Sequence, residues 1–275
     1  MVESLKELSR VCQKPRYKKD GNWMVRHFLR DWALPVTWLL LHTSVTANQV
    51  TTVSLIVGLS GLMLFAKTSP ALFFLGALLV QLWYFLDHVD GQIARYRKTA
   101  SLTGRFFDFV THHIIHGVLF FSLGYYCFKM TDNSFFLFWG FSASLAMMVF
   151  NLLHDTKYKT FFERLVTFRQ VSIAGSKAGE KAECESADKS ERFGALRKLF
   201  SWGHKAAEIH VVMNILTLVA FCELFPFFAE AKLRLYLFIV YGVTVPMLAV
   251  VKLTYWIKNQ TIDKEFDALF KPHRG

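Results

Sequence analysis

The sequence predicts an all-α, polytopic integral membrane protein with six transmembrane helices. Of its 275 residues, 53% are hydrophobic and 28 are Phe, and the mean hydropathy is +0.30. A large soluble domain would disperse these apolar residues, whereas here they cluster into long runs. The Lys and Arg residues lie mostly in alternate connections between the runs. Run length and charge distribution therefore both indicate a membrane domain.

Each of six apolar runs is long enough to cross a hydrocarbon core of about 30 Å at about 1.5 Å per residue. The runs cover residues 33–66, 70–94, 105–128, 134–153, 209–229 and 235–257. We expect a cytosolic and interfacial segment over 1–33, a membrane domain over 34–258 and a cytosolic tail over 259–275. Residues 168–205 are expected to form a flexible cytosolic loop, because their middle is rich in Ala, Ser, Lys and Glu without apolar periodicity.

The segment before the first run contains no apolar stretch of the kind that a secretory signal requires. From Val25 to Trp38, aromatic residues alternate with Arg and His residues. This mixture predicts an N-terminal interfacial amphipathic helix that leads into the membrane.

The distribution of Lys and Arg predicts the orientation. The segments 1–33, 95–105, 154–208 and 258–275 contain 8, 4, 11 and 4 of these residues. The opposite connections contain only Lys67, Lys129, Lys232 and Arg234. Because basic residues in short connections stay cytosolic, both termini are predicted to be cytosolic, and topology explains much of the net charge of +11. We expect a bacterial or archaeal inner or plasma membrane rather than an organelle, contact with membrane lipids and no nucleic-acid partner.

The stretch from Leu86 to His113 places acidic residues within two otherwise apolar helices. Asp87 and Asp90 fall on one helix face, and Asp108 and His112 lie one turn apart on the next helix. An ionised Asp at membrane depth costs about 2.5–3.5 kcal/mol on insertion scales, so such residues usually pair, bind ions or line a wet cavity. Converging carboxylates suit Mg²⁺, Mn²⁺ or Ca²⁺. Since Mg²⁺ often bridges carboxylates to substrate phosphates, we expect a phosphate-bearing substrate.

Small residues accompany these acids. Gly91, Ala94 and Gly104 remove side-chain bulk, so that a helix or a flat ligand can approach the backbone. Arg95 follows directly and offers a bidentate guanidinium for a phosphate. The motif therefore predicts a substrate pocket beside the acids.

These residues together resemble the signature of the CDP-alcohol phosphotransferase (CDP-alcohol phosphatidyltransferase) family. That signature runs Asp, two residues, Asp-Gly, two residues, Ala-Arg, eight residues, Gly, three residues, Asp, three residues, Asp. The matching positions are Asp87, Asp90, Gly91, Ala94, Arg95, Gly104 and Asp108. The last position holds His112 where the family has an Asp thought to act as general base. Seven matches at fixed spacing over some 26 residues are a specific signal.

The resemblance implies six transmembrane helices around a cytosol-facing polar cavity, commonly in a homodimer. It also implies transfer of a substituted phosphate group from a CDP-alcohol, most often CDP-diacylglycerol, to the hydroxyl of a polar acceptor alcohol, with release of CMP. Two divalent ions, Mg²⁺ or Mn²⁺, would be held by Asp87, Asp90 and Asp108, with His112 as a further ligand. Asp108 and His112 are the expected catalytic residues.

The resemblance also predicts a nucleotide site. Thr46 to Thr51 resembles the family's Thr-Pro-Asn, two residues, Thr, with Ala47 in place of Pro. From the residues alone, this stretch is a helix N-cap or a ligand contact. The expected nucleotide-binding residues are Asn48, Thr51, Asp87, Gly91, Ala94, Arg95 and Gly104.

Family members with phosphorylated acceptors use basic residues on the cytosolic side. The corresponding candidates here are Lys157, Arg164, Arg192 and Lys205. A positive cytosolic segment would contain such residues without any acceptor, and this explanation fits each of them equally well.

His112 leaves three interpretations open. A neutral imidazole is a competent general base and a metal ligand, which favours an enzyme with an altered base. A catalytically impaired relative that acts as a membrane nucleotide-binding or scaffold protein ranks second. The spacing of Asp108, His112 and His116 also fits a zinc or iron site.

A transporter is the weakest alternative for the whole protein, because its acids or helix breaks would occur in corresponding spans of two halves.

Overall fold

The computed structural model describes residues 4–13, 24–167, 171–173, 203 and 205–272, and these are almost entirely helical. The helices are α1 (Leu5–Cys12), α2 (Arg30–Leu41), α3 (Ala47–Phe65), α4 (Pro70–Tyr96), α5 (Leu102–Thr131), α6 (Phe135–Thr167), α7 (Ile209–Cys222), α8 (Pro226–Glu230), α9 (Leu233–Lys258) and α10 (Thr261–Leu269). A π-helical turn, Val25–Leu29, leads into α2. Two short strands, β1 (Val171–Ile173) and β2 (Phe270–Pro272), pair antiparallel with Val171 opposite Pro272.

Five helices of the described residues are long and apolar enough to cross a membrane, namely α3, α4, α5, α6 and α9. The chain is therefore an integral membrane protein. Five of the six predicted runs each overlap one of these helices, and α6 continues well beyond the predicted end at 153. The run predicted at 209–229 contains α7, whose 14 residues fall short of the ~20 that a perpendicular crossing requires. The six-span arrangement accordingly stays a prediction.

The run predicted at 33–66 contains two helices rather than one, because polar residues between α2 and α3 end the first and begin the second. The Thr46 side chain accepts the Gln49 N–H at 3.3 Å, and the Gln49 side chain accepts the Thr46 N–H at 2.8 Å. This reciprocal capping box fixes the start of α3 and confirms the N-cap interpretation of the stretch.

Glycines allow α3, α4 and α5 to approach one another closely. A Cβ on Gly61 would lie 2.7 Å from the Gly76 carbonyl oxygen of α4. A Cβ on Gly58 would lie 2.8 Å from Ile115 of α5 and 3.0 Å from the Trp83 ring of α4. Small residues of this kind let helices pack backbone to backbone in a membrane, where no hydrophobic force drives them together. The three helices that contain the acidic motif and the Thr46 stretch are thereby held together.

The N-terminal helices pack on the same group. Leu8 and Cys12 of α1 and Ala33 of α2 are fully buried in a cluster with Val89 and Ile93 of α4. The helix predicted from Val25 to Trp38 corresponds to the π-helical turn and most of α2. Its interfacial position stays a prediction.

The chain divides into two compact units. The first comprises Met1–Gly140 and Met213–Phe238, and it contains the whole acidic motif. The second comprises Phe141–Val212 and Ile239–Gly275. The predicted domain boundaries at 33, 258 and the 168–205 loop stay predictions, and much of that loop lies outside the described residues.

Candidate metal and nucleotide site

The acidic motif occupies facing parts of α4 and α5 within the first unit. Asp87 and Asp90 lie in the C-terminal half of α4, and Asp108 and His112 lie in the N-terminal half of α5. Between the two helices, the Ser101 side chain caps α5 by accepting the Gly104 N–H at 3.0 Å. This cap begins α5 within a few residues of the end of α4, so both halves of the motif face each other across a short connection.

His112 lies between two carboxylates. Its Nε2 lies 2.8 Å from Asp87 Oδ1 and 3.4 Å from Asp108 Oδ1. The Trp83 ring lies beside the imidazole, with ring centroids 5.1 Å apart. The side chains of Asp87 and His112 are 21% and 24% exposed, so the pair is largely shielded but still accessible. The predicted convergence of acids from the two helices is thus present for Asp87 and Asp108.

The position of Nε2 determines what His112 can do. An acceptor oxygen at 2.8 Å requires a proton on that nitrogen, because a bare lone pair would face the negative charge of Asp87. A cation placed among the same atoms would replace this proton and be coordinated by the lone pair. Nε2 is therefore a hydrogen-bond donor or a metal ligand, and it cannot at the same time be a free base.

The donor atoms fit a divalent cation. One ligand atom each from Asp87, Asp108 and His112 can be chosen so that all lie within 4.8 Å of one another. Asp108 Oδ1 is buried and makes no hydrogen bond within the part of the chain that the structure describes, although His112 Nε2 lies 3.4 Å away. A buried carboxylate oxygen without a hydrogen bond is costly unless a cation joins it.

Asp90 stands apart from this three-donor group. It is 8% exposed, and its carboxylate accepts the hydroxyl proton of Thr51, itself 6% exposed, at 2.5 Å. Thr51 therefore contacts an acid of the motif, and α3 is joined to α4 at the site. A second ion, as in a two-metal site, would have to share the Asp90 carboxylate with Thr51.

Gly91 and Arg95 form a unit on one face of α4. A Cβ on Gly91 would lie 3.1 Å from Arg95 Nη1, so the absent side chain makes room for the guanidinium. The sequence predicts room for a ligand or another helix at this position, and the side chain of Arg95 occupies part of that space. Arg95 Nε donates to the carbonyl of Cys12 at the end of α1. Ala94 is half-buried, and its carbonyl accepts the Thr99 N–H at 2.9 Å.

Asn48 and Gly104 are neighbours across α3 and α5. A Cβ on Gly104 would lie 3.4 Å from Asn48 Oδ1 and 3.3 Å from Ser101 Oγ. The structure thus brings these two predicted nucleotide-binding residues together, with Thr51 one turn further along α3. The contact between Arg95 and α1 was not predicted, since nothing in the spacing relates Cys12 to residue 95.

His116 lies beside His112 but outside the three-donor group. Its ring meets that of His112 edge to face, with centroids 6.0 Å apart, and the residue is 5% exposed. The group of Asp87, Asp108 and His112 draws on two helices, whereas the alternative zinc or iron pattern would draw on α5 alone.

The predicted acceptor-binding residues that the structure describes belong to the second unit. Lys157 Nζ lies 2.6 Å from Glu265 Oε1 of α10. Arg164 pairs with Asp263 at 3.0 Å and with Asp267 at 3.7 Å, also on α10. Lys205 is exposed. Arg192 lies outside the described residues.

Spanning helices and a half-buried cluster of carboxylate and imidazole donors define a class of integral membrane protein with a candidate cation site between two of its helices. Residues 44–183 match the CDP-alcohol phosphatidyltransferase family, and the chain belongs to that family. The family transfers a phosphate-containing group from a CDP-alcohol in phospholipid synthesis. No curated protein matches the chain.

Proposed function

We propose that this protein transfers a substituted phosphate group from CDP-diacylglycerol to the hydroxyl of a polar acceptor alcohol and releases CMP. The observation that supports this function best is the cluster of Asp87, Asp108 and His112, beside which Asp90 is bonded to Thr51. The cluster offers oxygen and nitrogen ligands on two helices of a membrane domain, where an ionised carboxylate without a partner costs free energy. A divalent cation that also binds the phosphates of a substrate would supply that partner.

In this proposal Asp87, Asp108 and His112 hold a divalent cation, Mg²⁺ or Mn²⁺. When bound, the cation neutralises charge that develops on the transferred phosphoryl oxygens and the leaving group. Asp90 serves either as a ligand for a second ion or, through Thr51, as the fixed partner that orients α3 against α4. An in-line displacement depends on such positioning, because the attacking hydroxyl and the leaving group must be aligned on opposite sides of the phosphorus.

The nucleotide is expected to bind where α3, α4 and α5 come together. Asn48 and Thr51 would contact it from α3, while Asp87, Gly91, Ala94 and Arg95 would contact it from α4. Gly104 would let the nucleotide approach the backbone of α5. Arg95 is the cationic member of this group, and its guanidinium suits a pyrophosphate.

The acceptor hydroxyl must lose its proton as it attacks the β-phosphorus. His112 is the family-derived choice for this step, but its Nε2 faces two carboxylates and suits ligation. Asp108 is the better base, because one of its oxygens can hold the cation while the other accepts the proton. The attacking oxygen forms a P–O bond, the P–O bond to CMP breaks, and the product is a phosphodiester.

The finer features of the fold belong to the same proposal. They are six transmembrane helices around a cytosol-facing polar cavity, an interfacial N-terminal helix, cytosolic termini and a homodimer in a bacterial or archaeal inner or plasma membrane. Lys157, Arg164, Arg192 and Lys205 are proposed acceptor-binding residues. In the case of Lys157 and Arg164, a phosphorylated acceptor would have to compete with the carboxylates of α10.

The test is CMP release by the purified protein with CDP-diacylglycerol and Mn²⁺ or Mg²⁺ across a panel of polar alcohols and their phosphates. We expect acceptor-dependent CMP that falls about 10²-fold or more in Asp87→Asn, since loss of one preorganised electrostatic group typically has this effect. Asp132→Asn is the matched control, because Asp132 is the C-cap of α5 at the opposite end of that helix. Equal activity in both variants would refute the assignment of the site.

A catalytically impaired relative is the second candidate function. It is favoured by the hydrogen bond between His112 and Asp87, which satisfies both groups without a cation. In that case CDP-diacylglycerol would bind without acceptor-dependent release of CMP, and His112→Asp would restore turnover.

A further inference from the structure

The N-terminal helix α1 is anchored on the helix that carries the acidic motif. Leu8 and Cys12 are both fully buried, in a cluster with Val89 and Ile93 of α4. A capping box of Ser4 and Glu7 begins the helix. A segment of eight residues has little stability alone, so this anchoring is what holds α1 in a helix.

The residue that follows α1 and a glutamine of α4 both donate to one carbonyl at the start of α2. Gln13 Nε2 donates to the carbonyl of Arg30 at 3.1 Å, and Gln92 Nε2 of α4 donates to the same carbonyl at 2.9 Å. Thr37 of α2 donates to Gln92 Oε1 at 2.7 Å. The carbonyl of Cys12, one residue before Gln13, is thereby held at a defined place over α4.

That carbonyl accepts a hydrogen bond from Arg95 Nε. The last carbonyls of a helix have no partner within the helix and carry partial negative charge, so a guanidinium is their natural partner. Nε supplies one of the five guanidinium donors, and the two Nη atoms supply the other four. On its other side the guanidinium lies against Gly91, where a Cβ would be 3.1 Å from Nη1.

We propose that α1 is a positioning element of the nucleotide site, which fixes Arg95 through the Cys12 carbonyl so that its Nη edge is preorganised for a pyrophosphate. This inference rests on the proposed function, since it assigns Arg95 to the donor. A long side chain that is held in place before the ligand arrives loses less freedom on binding, and affinity improves accordingly. Leu8 and Gln13 are then positioning residues rather than catalytic ones.

The experiment measures the Kd of CDP in the presence of Mn²⁺ for the full-length protein in detergent. Leu8→Asp should release α1 and raise the Kd about tenfold, the effect expected when one charge-assisted hydrogen bond is lost. Leu5→Asp is the matched control, because Leu5 lies on the same helix and is 46% exposed. With CDP-diacylglycerol as substrate, Leu8→Asp should raise KM and leave kcat nearly unchanged.

A double-mutant cycle with Arg95→Lys separates positioning from general damage. Lysine lacks the Nε donor, so Leu8→Asp should add nothing further to the Kd in the Arg95→Lys background. Full additivity of the two effects would overturn the proposal. Gln13→Ala gives a milder release and should raise the Kd in the same direction if Leu8→Asp lowers the yield of folded protein. An unchanged Kd in both Leu8→Asp and Gln13→Ala would also overturn it.

The outcomes distinguish this inference from the proposed function. If the wild-type protein does not bind CDP, the proposed function fails. If Arg95→Lys weakens CDP binding while the α1 variants do not, the nucleotide site stands and the role of α1 is refuted.

Discussion

His112 brings a nitrogen donor into a group that otherwise offers carboxylate oxygens. Imidazole suits later transition ions such as Fe²⁺ and Zn²⁺ best. Mn²⁺ favours oxygen ligands but accepts an imidazole more readily than Mg²⁺, which retains several waters. With Nε2 directed at Asp87 and Asp108, the residue at position 112 should therefore set the preference among divalent ions.

We predict that His112→Asp shifts the preference from Mn²⁺ towards Mg²⁺. His112→Ala should weaken Mn²⁺ binding at least as much as the ~10–100-fold that loss of a ligand-orienting partner costs. Electron paramagnetic resonance of bound Mn²⁺ during competition with Mg²⁺ measures the ion preference without turnover. Nitrogen coupling in the wild-type spectrum would identify the imidazole as a ligand. His113→Gln is the control, since His113 is outside the three-donor group. An unchanged ion preference in His112→Asp would contradict the ligand role.

Thr51 and Asp90 form a buried pair that the sequence did not predict. The hydroxyl donates to a carboxylate that is 8% exposed, in a setting where an unsatisfied acid is costly.

We predict that Thr51→Val lowers the free energy of unfolding by ~1–3 kcal/mol, because the valine has the same shape but leaves Asp90 without this donor. Thermal unfolding in detergent measures the loss. Thr52→Val is the matched control: its hydroxyl bonds the Asn48 carbonyl within α3, and the residue is exposed. A similar loss in both variants would mean that the Asp90 contact contributes nothing specific.

At the scale of helices, a buried ion pair joins helix ends of the first unit on the side away from the acidic motif. Arg234 at the start of α9 is 1% exposed and binds Glu223, which follows α7, at 2.7 Å. Its Nη1 also donates to the Lys67 carbonyl after α3 at 2.8 Å. The rings of Phe73 and Tyr126 each lie 3.8 Å from the guanidinium carbon. One arginine thus connects α3, α4, α5, α7 and α9.

We predict that Glu223→Gln costs ~3–5 kcal/mol of stability, because removal of one partner leaves a buried charge uncompensated. Glu163→Gln is the control, since the Lys159–Glu163 pair is 75% and 65% exposed and such surface pairs contribute ~0–1 kcal/mol. Denaturation in detergent compares the two variants. If both melt alike, the buried pair is not a determinant of stability.

At the scale of the whole molecule, the charge distribution predicts the orientation in the membrane. Lys67 follows α3 on the side with few basic residues, and Thr99 lies in the basic connection between α4 and α5. Both residues are exposed.

We expect Lys67→Cys to react with a membrane-impermeant maleimide in intact cells, and Thr99→Cys to react only after lysis. The positive-inside bias of the connections is the physical reason. The wild-type protein measures the background from its own cysteines. Labelling of Thr99→Cys but not Lys67→Cys in intact cells would reverse the proposed topology.

The sequence by itself determined the membrane class, the family and the helices on which the site lies. Apolar runs of spanning length and the fixed spacing of seven motif residues are local properties, so they can be read from the chain without its fold. Thr46 likewise predicts the start of α3, because a capping box involves only residues that are close in the sequence.

Only the tertiary structure decided which groups meet. It shows that His112 lies between Asp87 and Asp108, that Thr51 donates a hydrogen bond to Asp90, and that the end of α1 contacts Arg95. It also showed that Arg234, counted as a charge of the outer side, is buried against Glu223. Such partners are far apart in the chain. The distances between them depend on how closely α3, α4 and α5 approach one another at their glycines. The spacing of residues within one helix does not specify that approach.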